Sequence, residues 1–329
     1  MTMLNFADDC APLSPQAMAA RLSELTATGD VTADYYGDGG PVTQLEQEIA
    51  ALLGKEAAVM YPTGTMANLM AVRLLAAGRP GSRFVVQADS HLYNDAGDNL
   101  TFAAGISMAP LVSEGASFTP DQLQREIARA ASARVSAQIV GVAIETPSRR
   151  HANRRFDPEA MAGVIGMARK AGIPLLLDGA RIFIEAAWAE KTPAEIAAPF
   201  DFVYVSLYKY LDAPFGAVLA GSKAALAGQH HERRRHGGGM YQMWPAALLA
   251  LHALPRQREN WRAVRMQAEA VFTALQAAGL PVFREPLDSN VLRLPVTGSA
   301  EEMVAQAKAE GVRVPPPGKS GWALKANES

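Results

Sequence analysis

The sequence predicts an α/β fold in which a mainly parallel central sheet carries helices on both faces, followed by a small α+β domain at the C-terminal end. Strand-like and helix-like patterns alternate along most of the 329 residues, and this alternation is typical of βαβ units. The chain is 49% hydrophobic, so it can bury a large core. The pattern changes at about Met240. We therefore expect an N-terminal arm (1–30), a large α/β domain (31–245) and a small α+β domain (246–329).

The first part of the chain supplies the elements of the sheet in a regular order. A helix begins at Ser14-Pro15 and ends near Gly29, and the next helix, PVTQLEQEIAALLG, places its apolar residues on one face. Strands are predicted at AAVMY, RFVVQAD, ISMAPLV, AQIVGVAIE and IPLLLD. Helices are predicted between them at TMANLMAVRLLAAG, TPDQLQREIARAAS and FDPEAMAGVIGMARKAG. The strand VYVS then leads into LYKYLDAPFG.

The C-terminal part has a different character. A long alanine- and arginine-rich helical stretch is predicted from about Met240 to Gly279. A strand (SNVLRLPV), a helix (AEEMVAQAKAEG) and a strand (VRVPP) follow it. The sequence closes with WALKANES and no final helix, which leaves both a natural end and a truncation open.

Composition excludes several classes of protein. The formal net charge is −2, so there is no basic footprint for nucleic acid. Cys10 is the single cysteine, which excludes an internal disulfide and a cysteine cluster for zinc, and we expect no metal site. The first residues lack the pattern of a signal peptide, and no apolar run has the length of a membrane span. We expect a soluble, cytoplasmic protein that acts on a small molecule.

The segment YPTGTMAN is a candidate anion site. A strand ends at Tyr61, and the turn Thr63-Gly64-Thr65 opens a helix. Glycine lets the backbone approach an anion, and the first N–H groups of a helix point towards it. An ordinary threonine helix cap explains the same residues equally well. Neither GxxxxGK[ST] nor GxGxxG occurs in the sequence, so the turn predicts one phosphate and no nucleotide.

Three further polar side chains follow predicted strands. Asp178 ends IPLLLD, and Arg181 follows it, so the two residues either form a structural ion pair or leave the carboxylate free to hold a protonated ring nitrogen. His91 follows the strand RFVVQAD and is either structural or a candidate base. Ligands of parallel sheets collect beyond the carboxyl ends of the strands, where all three residues are expected.

Lys209 lies between Tyr208 and Tyr210 in an apolar neighbourhood. Taken alone, it fits a gatekeeper that prevents strand pairing. A phosphate turn, a strand-end aspartate, a histidine and an apolar lysine together fit pyridoxal 5′-phosphate, which needs a phosphate site, an acidic partner for its ring nitrogen and a lysine to form an imine. Burial lowers the pKa of a lysine and increases its nucleophilic fraction.

Several motifs in the right order resemble those of the pyridoxal-phosphate threonine aldolases and their β-eliminating lyase relatives, which have the aspartate-aminotransferase-like fold (fold type I). The likeness covers nearly the whole chain. The segment YYGDGGPVTQLEQEIAALLGKEAAVMYPTGTMAN is similar to the family's YGDDPxxxxLE…GKEAA…PSGTMAN block. The matching later segments are ADSHLY, LLLDGARIF, FDFVYVSLYKYLDAPFGAVLAGSK and RRRHGGGMYQ. The chain is closer to a divergent branch whose strand ends E-x-P-x-R and whose lysine segment reads SFYKGLG, and for that branch threonine is not assumed to be the substrate.

The resemblance implies a role for each matched residue. Lys209 would form the imine with the cofactor, and Asp178 would pair with the pyridine nitrogen. His91 would stack on the ring and assist proton transfer, and Arg181 would reach the cofactor phenolate or the substrate carboxylate. Gly64, Thr65 and Ser206 would hold the phosphate. The family also forms dimers and tetramers, so a homo-oligomer is implied.

Some positions depart from the family pattern. Ser148 stands where the motif E-N-T-H-N supplies a second histidine, and His151 is near that position but is not matched to it. The N-terminal SDT is replaced by Asp8-Asp9-Cys10, and Tyr241 replaces the arginine of GGGMRQ. Lys325 is the candidate for a late arginine that clamps the substrate carboxylate, and it lacks the two-pronged guanidinium group.

The resemblance favours cleavage of the Cα–Cβ bond of a β-hydroxy amino acid to glycine and an aldehyde. The same carbanion chemistry serves β-elimination and racemisation, which are the alternative reactions. A non-catalytic relative that keeps the fold is a further alternative, since fold does not fix activity. A nicotinamide dehydrogenase is not indicated, because the glycine fingerprint of such enzymes is missing.

Overall fold

A computed structural model describes residues 4–79, 81–135, 137–295, 299–318 and 321–328. The strands are β1 (Leu4–Asn5), β2 (Ala57–Tyr61), β3 (Arg83–Gln87), β4 (Ser107–Leu111), β5 (Ile139–Glu145), β6 (Leu175–Asp178), β7 (Phe202–Ser206), β8 (Ala217–Gly221), β9 (Val291–Leu294), β10 (Val312–Arg313) and β11 (Trp322–Lys325). The helices are α1 (Pro15–Leu25), α2 (Gly40–Leu52), α3 (Gly64–Ala76), α4 (His91–Asn94), α5 (Asn99–Ala104), α6 (Pro120–Ser132), α7 (Pro158–Lys170), α8 (Ile182–Ala189), α9 (Pro193–Ala197), α10 (Lys223–Leu226), α11 (Gln229–Arg235), α12 (Trp244–Ala253), α13 (Gln257–Ala277) and α14 (Ala300–Ala309).

A 7-stranded sheet forms the centre of the fold, with the strand order β2-β8-β7-β6-β5-β3-β4. Strands β3 to β7 pair in parallel, and β8 runs antiparallel to both of its neighbours, β2 and β7. The predicted mainly parallel sheet is confirmed. Each parallel connection carries a helix or a longer crossover, as parallel pairing requires.

Helices cover both faces of this sheet, because its central strands are apolar on both sides. In β7, Val203 and Val205 belong to one apolar cluster, and Phe202 and Tyr204 belong to the other. This division follows from the alternation of side chains along a strand. Residues of α2, α6, α7, α8, α12 and α13 join the first cluster, and residues of α3 and α5 join the second.

The C-terminal elements differ in detail from the prediction. The long helical stretch is divided into α12 and α13 by a 3₁₀ turn, Leu254–Arg256, because Pro255 has no N–H group to continue the helix. Strand β9 pairs with β11, and β10 pairs in parallel with β1. The N-terminal strand therefore lies against the C-terminal elements. Val296, the last residue of the predicted strand SNVLRLPV, lies outside the described residues. The division at 30 and 245 stays a prediction.

Strand register aligns the polar residues that end the central strands. Glu145 of β5 pairs with Asp178 of β6, and Asp178 pairs with Tyr204 of β7. Because paired residues of neighbouring parallel strands point to the same face, these side chains lie side by side at the carboxyl edge of the sheet. Separately, no helix among the described residues is long and apolar enough to cross a membrane.

Candidate active site

Asp178 lies at the centre of this edge. Its side chain is 2% exposed, and its Oδ1 accepts a hydrogen bond from the backbone N–H of Ala180 at 3.2 Å. The turn after β6 is held by the backbone N–H of Gly179, which donates to the carbonyl oxygen of Tyr204 at 3.0 Å. A carboxylate this deeply buried needs a partner, and Asp178 has one backbone donor among the described residues.

Lys209 lies three residues after the end of β7 and is close enough to Asp178 for their charges to interact. Burial, and after it the nearby charge of Arg181, lower the pKa of Lys209 to about 8. The carboxylates of Asp178, Asp9 and Glu145 act in the opposite direction and raise this pKa. The lysine is therefore surrounded by the charged groups of the site, and a large fraction of its amine is neutral near pH 8.

This environment predicts the titration of the Lys209 amine. Its pKa in the folded protein lies below the ordinary value for lysine, so the neutral amine appears as the pH rises through about 8. Competitive labelling of the cofactor-free protein with acetic anhydride, read by mass spectrometry, should show Lys209 gaining reactivity with that midpoint. The exposed Lys223 calibrates the reagent. A Lys209 midpoint near 10.5 would contradict the expectation.

The two tyrosines that flank Lys209 have different surroundings. Tyr208 is 45% exposed, and its ring centroid is 5.8 Å from Lys209 Nζ. Tyr210 is buried and packs edge-on against Phe183 and Trp261. The lysine therefore has one open tyrosine beside it, and Tyr210 serves mainly to pack the core.

The turn before α3 has the geometry of a helix start with free N–H groups. Thr63 is the N-cap residue, and its Oγ1 accepts a hydrogen bond from the N–H of Met66 at 3.1 Å. The helix-cap interpretation is thus confirmed for Thr63. The N–H groups of Gly64 and Thr65 lie in the first turn, where a helix offers them no partner of its own. They remain available to an anion.

A cleft of about 350 Å³ opens in front of this turn. His91 lines it together with Gly64 and Thr65. The His91 Nδ1 atom is buried and has no hydrogen-bond partner among the described residues. The Ser206 hydroxyl, at the end of β7, is fully buried and likewise has no good hydrogen bond within the described part of the chain. His91 and the start of α3 therefore present polar groups to the cleft, and Ser206 lies two residues after Tyr204, which also lines it.

Glu145 is a site residue that the sequence analysis missed. Its carboxylate accepts hydrogen bonds from the backbone N–H groups of His91 at 2.6 Å and of Arg149 at 3.0 Å. Burial and the adjacent Asp178 raise the pKa of Glu145. The carboxylate fixes the start of α4 and with it the position of His91. The sequence could have indicated this role, because Glu145 ends a buried strand just as Asp178 ends the next one.

Arg181 forms an ion pair with Asp9. The predicted alternative, an ion pair between Arg181 and Asp178, is wrong. The Nε and Nη2 atoms of Arg181 donate to Asp9 Oδ2 at 3.1 and 2.6 Å. Lys325 Nζ lies 2.9 Å from Asp9 Oδ1. Burial alone would raise the pKa of Asp9, but the charges of Arg181 and Lys325 hold it well below its ordinary value. Lys325 and Arg181 thus share Asp9 as a partner, and a role of Lys325 in binding the substrate carboxylate stays a prediction.

Removal of the Asp9 charge should destabilise the protein. Asp9→Asn leaves Arg181, whose side chain is 4% exposed, without its anionic partner, and breaking a buried pair in this way costs roughly 3 kcal/mol. Urea unfolding of the cofactor-free protein measures the loss. Glu24→Gln breaks the exposed Arg21–Glu24 pair and should cost less than about 1 kcal/mol. Equal effects of the two substitutions would contradict the expectation.

The structure shows the surroundings of three residues that depart from the family pattern. Ser148 is buried, and its N–H donates to the carbonyl oxygen of Arg154 at 2.9 Å. His151 is engaged by Asp89, with 3.0 Å between Nε2 and Oδ2, so it does not replace the missing histidine in the cleft. Tyr241 is exposed and contacts the rings of two other tyrosines.

This chain is similar to several known proteins. The model of the family described as beta-eliminating lyase matches residues 7–294. A protein of Arabidopsis thaliana assigned as low-specificity L-threonine aldolase 2 is 29% identical over 251 residues, covering 74% of this chain and 70% of its own length. The low specificity L-threonine aldolase of Escherichia coli K12 is 27% identical over 270 residues, covering 82% and 78%.

A solved structure gives the same result for the fold. A protein of Listeria monocytogenes assigned as an L-allo-threonine aldolase is 26% identical, with a TM-score of 0.82 over 99% of this chain and 91% of that chain. Its similarity extends through the whole sheet and the C-terminal elements. Since the family model spans most of the chain, from the N-terminal arm to β9, this protein is a member of the beta-eliminating lyase family.

Proposed function

We propose that this protein is a pyridoxal-phosphate-dependent carbon–carbon lyase that cleaves a β-hydroxy amino acid to glycine and an aldehyde. The observation that carries the proposal is the placement of Asp178 at the carboxyl edge of the sheet and of Lys209 just after β7 at the same edge, where burial and the charge of Arg181 lower the pKa of the lysine to about 8. The named threonine aldolases among its relatives support the substrate class.

The residues that line the cleft, together with those at the neighbouring edge of the sheet, fit pyridoxal phosphate. Its phosphate matches the N–H groups of Gly64 and Thr65 in the first turn of α3 and the hydroxyl of Ser206, which has no hydrogen bond of good geometry among the described residues. The buried carboxylate of Asp178 matches a protonated ring nitrogen. His91 lines the same cleft as Gly64 and Thr65.

Pyridoxal phosphate, when bound, supplies an electron sink for the pair of electrons left by the broken Cα–Cβ bond. Lys209 would contribute a neutral amine to attach the cofactor and would later carry a proton. The negative charge of Asp178 would hold a proton on the ring nitrogen. Glu145 keeps His91 in place through the backbone of α4.

Arg181 and Lys325 would orient the substrate carboxylate. Asp9 uses the Nε and Nη2 side of the guanidinium group, which leaves the Nη1 donors for a second carboxylate. His91 would take the proton of the β-hydroxyl group, directly or through water, since its Nδ1 has no partner among the described residues. With Ser148 in place of a second histidine, the proposal assigns the base to His91.

We further propose a homodimer or homotetramer that works in the cytoplasm, with the large domain (31–245) holding the cofactor. The exposed aromatic side chains of Tyr35 and Tyr241, which contact each other, offer a surface for subunit contact. A single cysteine, Cys10, is compatible with a reducing compartment. Sedimentation of the holoenzyme gives the subunit number.

A substrate panel tests the reaction. The holoenzyme is incubated separately with L-threonine, L-allo-threonine, phenylserine and serine, and glycine, aldehyde, pyruvate and ammonia are measured. Glycine and aldehyde in equal amounts from the β-hydroxy amino acids are expected. Pyruvate and ammonia from serine, without glycine from the others, would replace aldol cleavage with β-elimination. No product from any member, with exchange of stereochemistry in alanine, would indicate a racemase.

A further inference from the structure

Tyr204 is a buried polar residue in the cleft with no role in the function proposed so far. It lies on β7, two residues before Ser206, and both side chains point to the α3 side of the sheet. Its side chain is 3% exposed, yet it lines the cleft together with Thr65 and His91. The phenol thus reaches from the apolar cluster into the polar cleft.

The tip of the phenol lies at the start of α3. A Cβ atom built on Gly64 would be 2.2 Å from the Tyr204 hydroxyl oxygen and 2.9 Å from Cζ. The Tyr204 side chain therefore occupies the space that a Cβ atom at residue 64 would need, and its hydroxyl lies against the first residue of α3. The Ser206 hydroxyl is also adjacent, although it lies outside the geometry of a good hydrogen bond.

The phosphate cradle needs such a donor. None of the described residues that line the cleft is a lysine or an arginine, so N–H and hydroxyl donors have to meet the charge of the phosphate. Burial keeps the pKa of Tyr204 well above its ordinary value, so the phenol keeps its proton at working pH. A neutral hydroxyl that always donates suits a phosphate dianion.

We propose that the Tyr204 hydroxyl binds the phosphate group of the cofactor, together with the helix start at Gly64 and Thr65 and the hydroxyl of Ser206. The inference rests on the proposed function. It adds the Tyr204 phenol, from the middle of β7, to the phosphate donors of the helix start and of Ser206. It also explains why Gly64 and Tyr204 occur together: Gly64 has no Cβ atom, and the Tyr204 phenol occupies the space that this leaves.

A binding comparison tests this contact. The cofactor-free protein and its Tyr204→Phe variant are titrated, in phosphate-free buffer, with pyridoxal phosphate and with pyridoxal, which lacks the phosphate. Tyr204→Phe should weaken pyridoxal phosphate binding about 10- to 100-fold, the range for a hydrogen bond to a charged group. Pyridoxal binding should change less than about threefold. Tyr61→Phe removes another buried hydroxyl, which bonds Gln229, and should change neither.

Each outcome bears on one claim. If Tyr204→Phe weakened the binding of both ligands equally, or of neither, the phosphate contact would be overturned and the lyase proposal would stand. If the unsubstituted protein bound neither ligand, the lyase proposal itself would fail. The melting temperature of each cofactor-free variant checks folding. Tyr204→Leu, which also fits the apolar cluster, repeats the comparison if Tyr204→Phe melts early, and a loss confined to pyridoxal phosphate is again expected.

Discussion

Lys209→Ala should abolish covalent attachment of pyridoxal phosphate and lower kcat by roughly 10³-fold or more, a loss in the upper part of the range for a positioned acid–base group. Lys209 is the lysine whose pKa is brought to about 8 by burial and by Arg181. Its amine would both attach the cofactor and carry a proton, so the substitution removes two functions at once. The fold should be retained, because alanine leaves the packing of Leu207 and Tyr210 intact.

Borohydride reduction measures the attachment. After reduction of the holoenzyme, peptide mass spectrometry should place a pyridoxyl group on Lys209, and the Lys209→Ala protein should carry none. Lys223→Ala, at an exposed lysine outside the cleft, should keep both the adduct and the activity. An adduct on another lysine in the unsubstituted protein would contradict the assignment, as would full activity of Lys209→Ala.

The part of the site that lies at strand ends could be predicted from the sequence. Asp178, Ser206 and Lys209 each follow an apolar run, and strands of a parallel sheet present their carboxyl ends at one edge. Local pattern and topology are then enough to bring such residues together. The turn at Gly64 was predictable for the same reason, since it also follows a strand.

The partners of Arg181 could not be predicted in this way. Asp9 is 172 positions away from Arg181, and it reaches the site because the N-terminal residues pair with the C-terminal strand β10. Lys325 arrives from β11, at the other end of the chain. No periodicity carries information about such a contact, because it depends on how separate parts of the chain dock.

The tyrosines near Lys209 show a second limit. The alternation along β7 predicts which side of the sheet Tyr204 faces, but it does not predict that the phenol fills the space left by Gly64. Tyr208 and Tyr210 lie beyond the strand, where alternation no longer applies. One of them is therefore open to the cleft and the other is in the core, a difference that only packing decides.

Asp178→Asn should lower kcat by about 10²- to 10³-fold while the protein still folds. Asparagine keeps the shape of the side chain and the acceptor for the Ala180 N–H, but it removes the negative charge that would hold a proton on the cofactor ring. Loss of one member of a buried ion pair costs roughly 3–5 kcal/mol, and each 1.4 kcal/mol is about tenfold. Because the Asp178 charge raises the pKa of Lys209, the variant should also shift the Lys209 titration below pH 8.

Two measurements on the same variant separate this role from a structural one. The kinetics should show the loss mainly in kcat, with a smaller change in KM, and the acetic anhydride titration should show the shift at Lys209. Glu185→Gln neutralises another buried carboxylate, which accepts a hydrogen bond from Thr146 Oγ1 at 2.8 Å, and should leave both readings unchanged. An Asp178→Asn protein with normal kcat would remove the aspartate from the mechanism. An unshifted Lys209 titration would show that the two groups are not coupled.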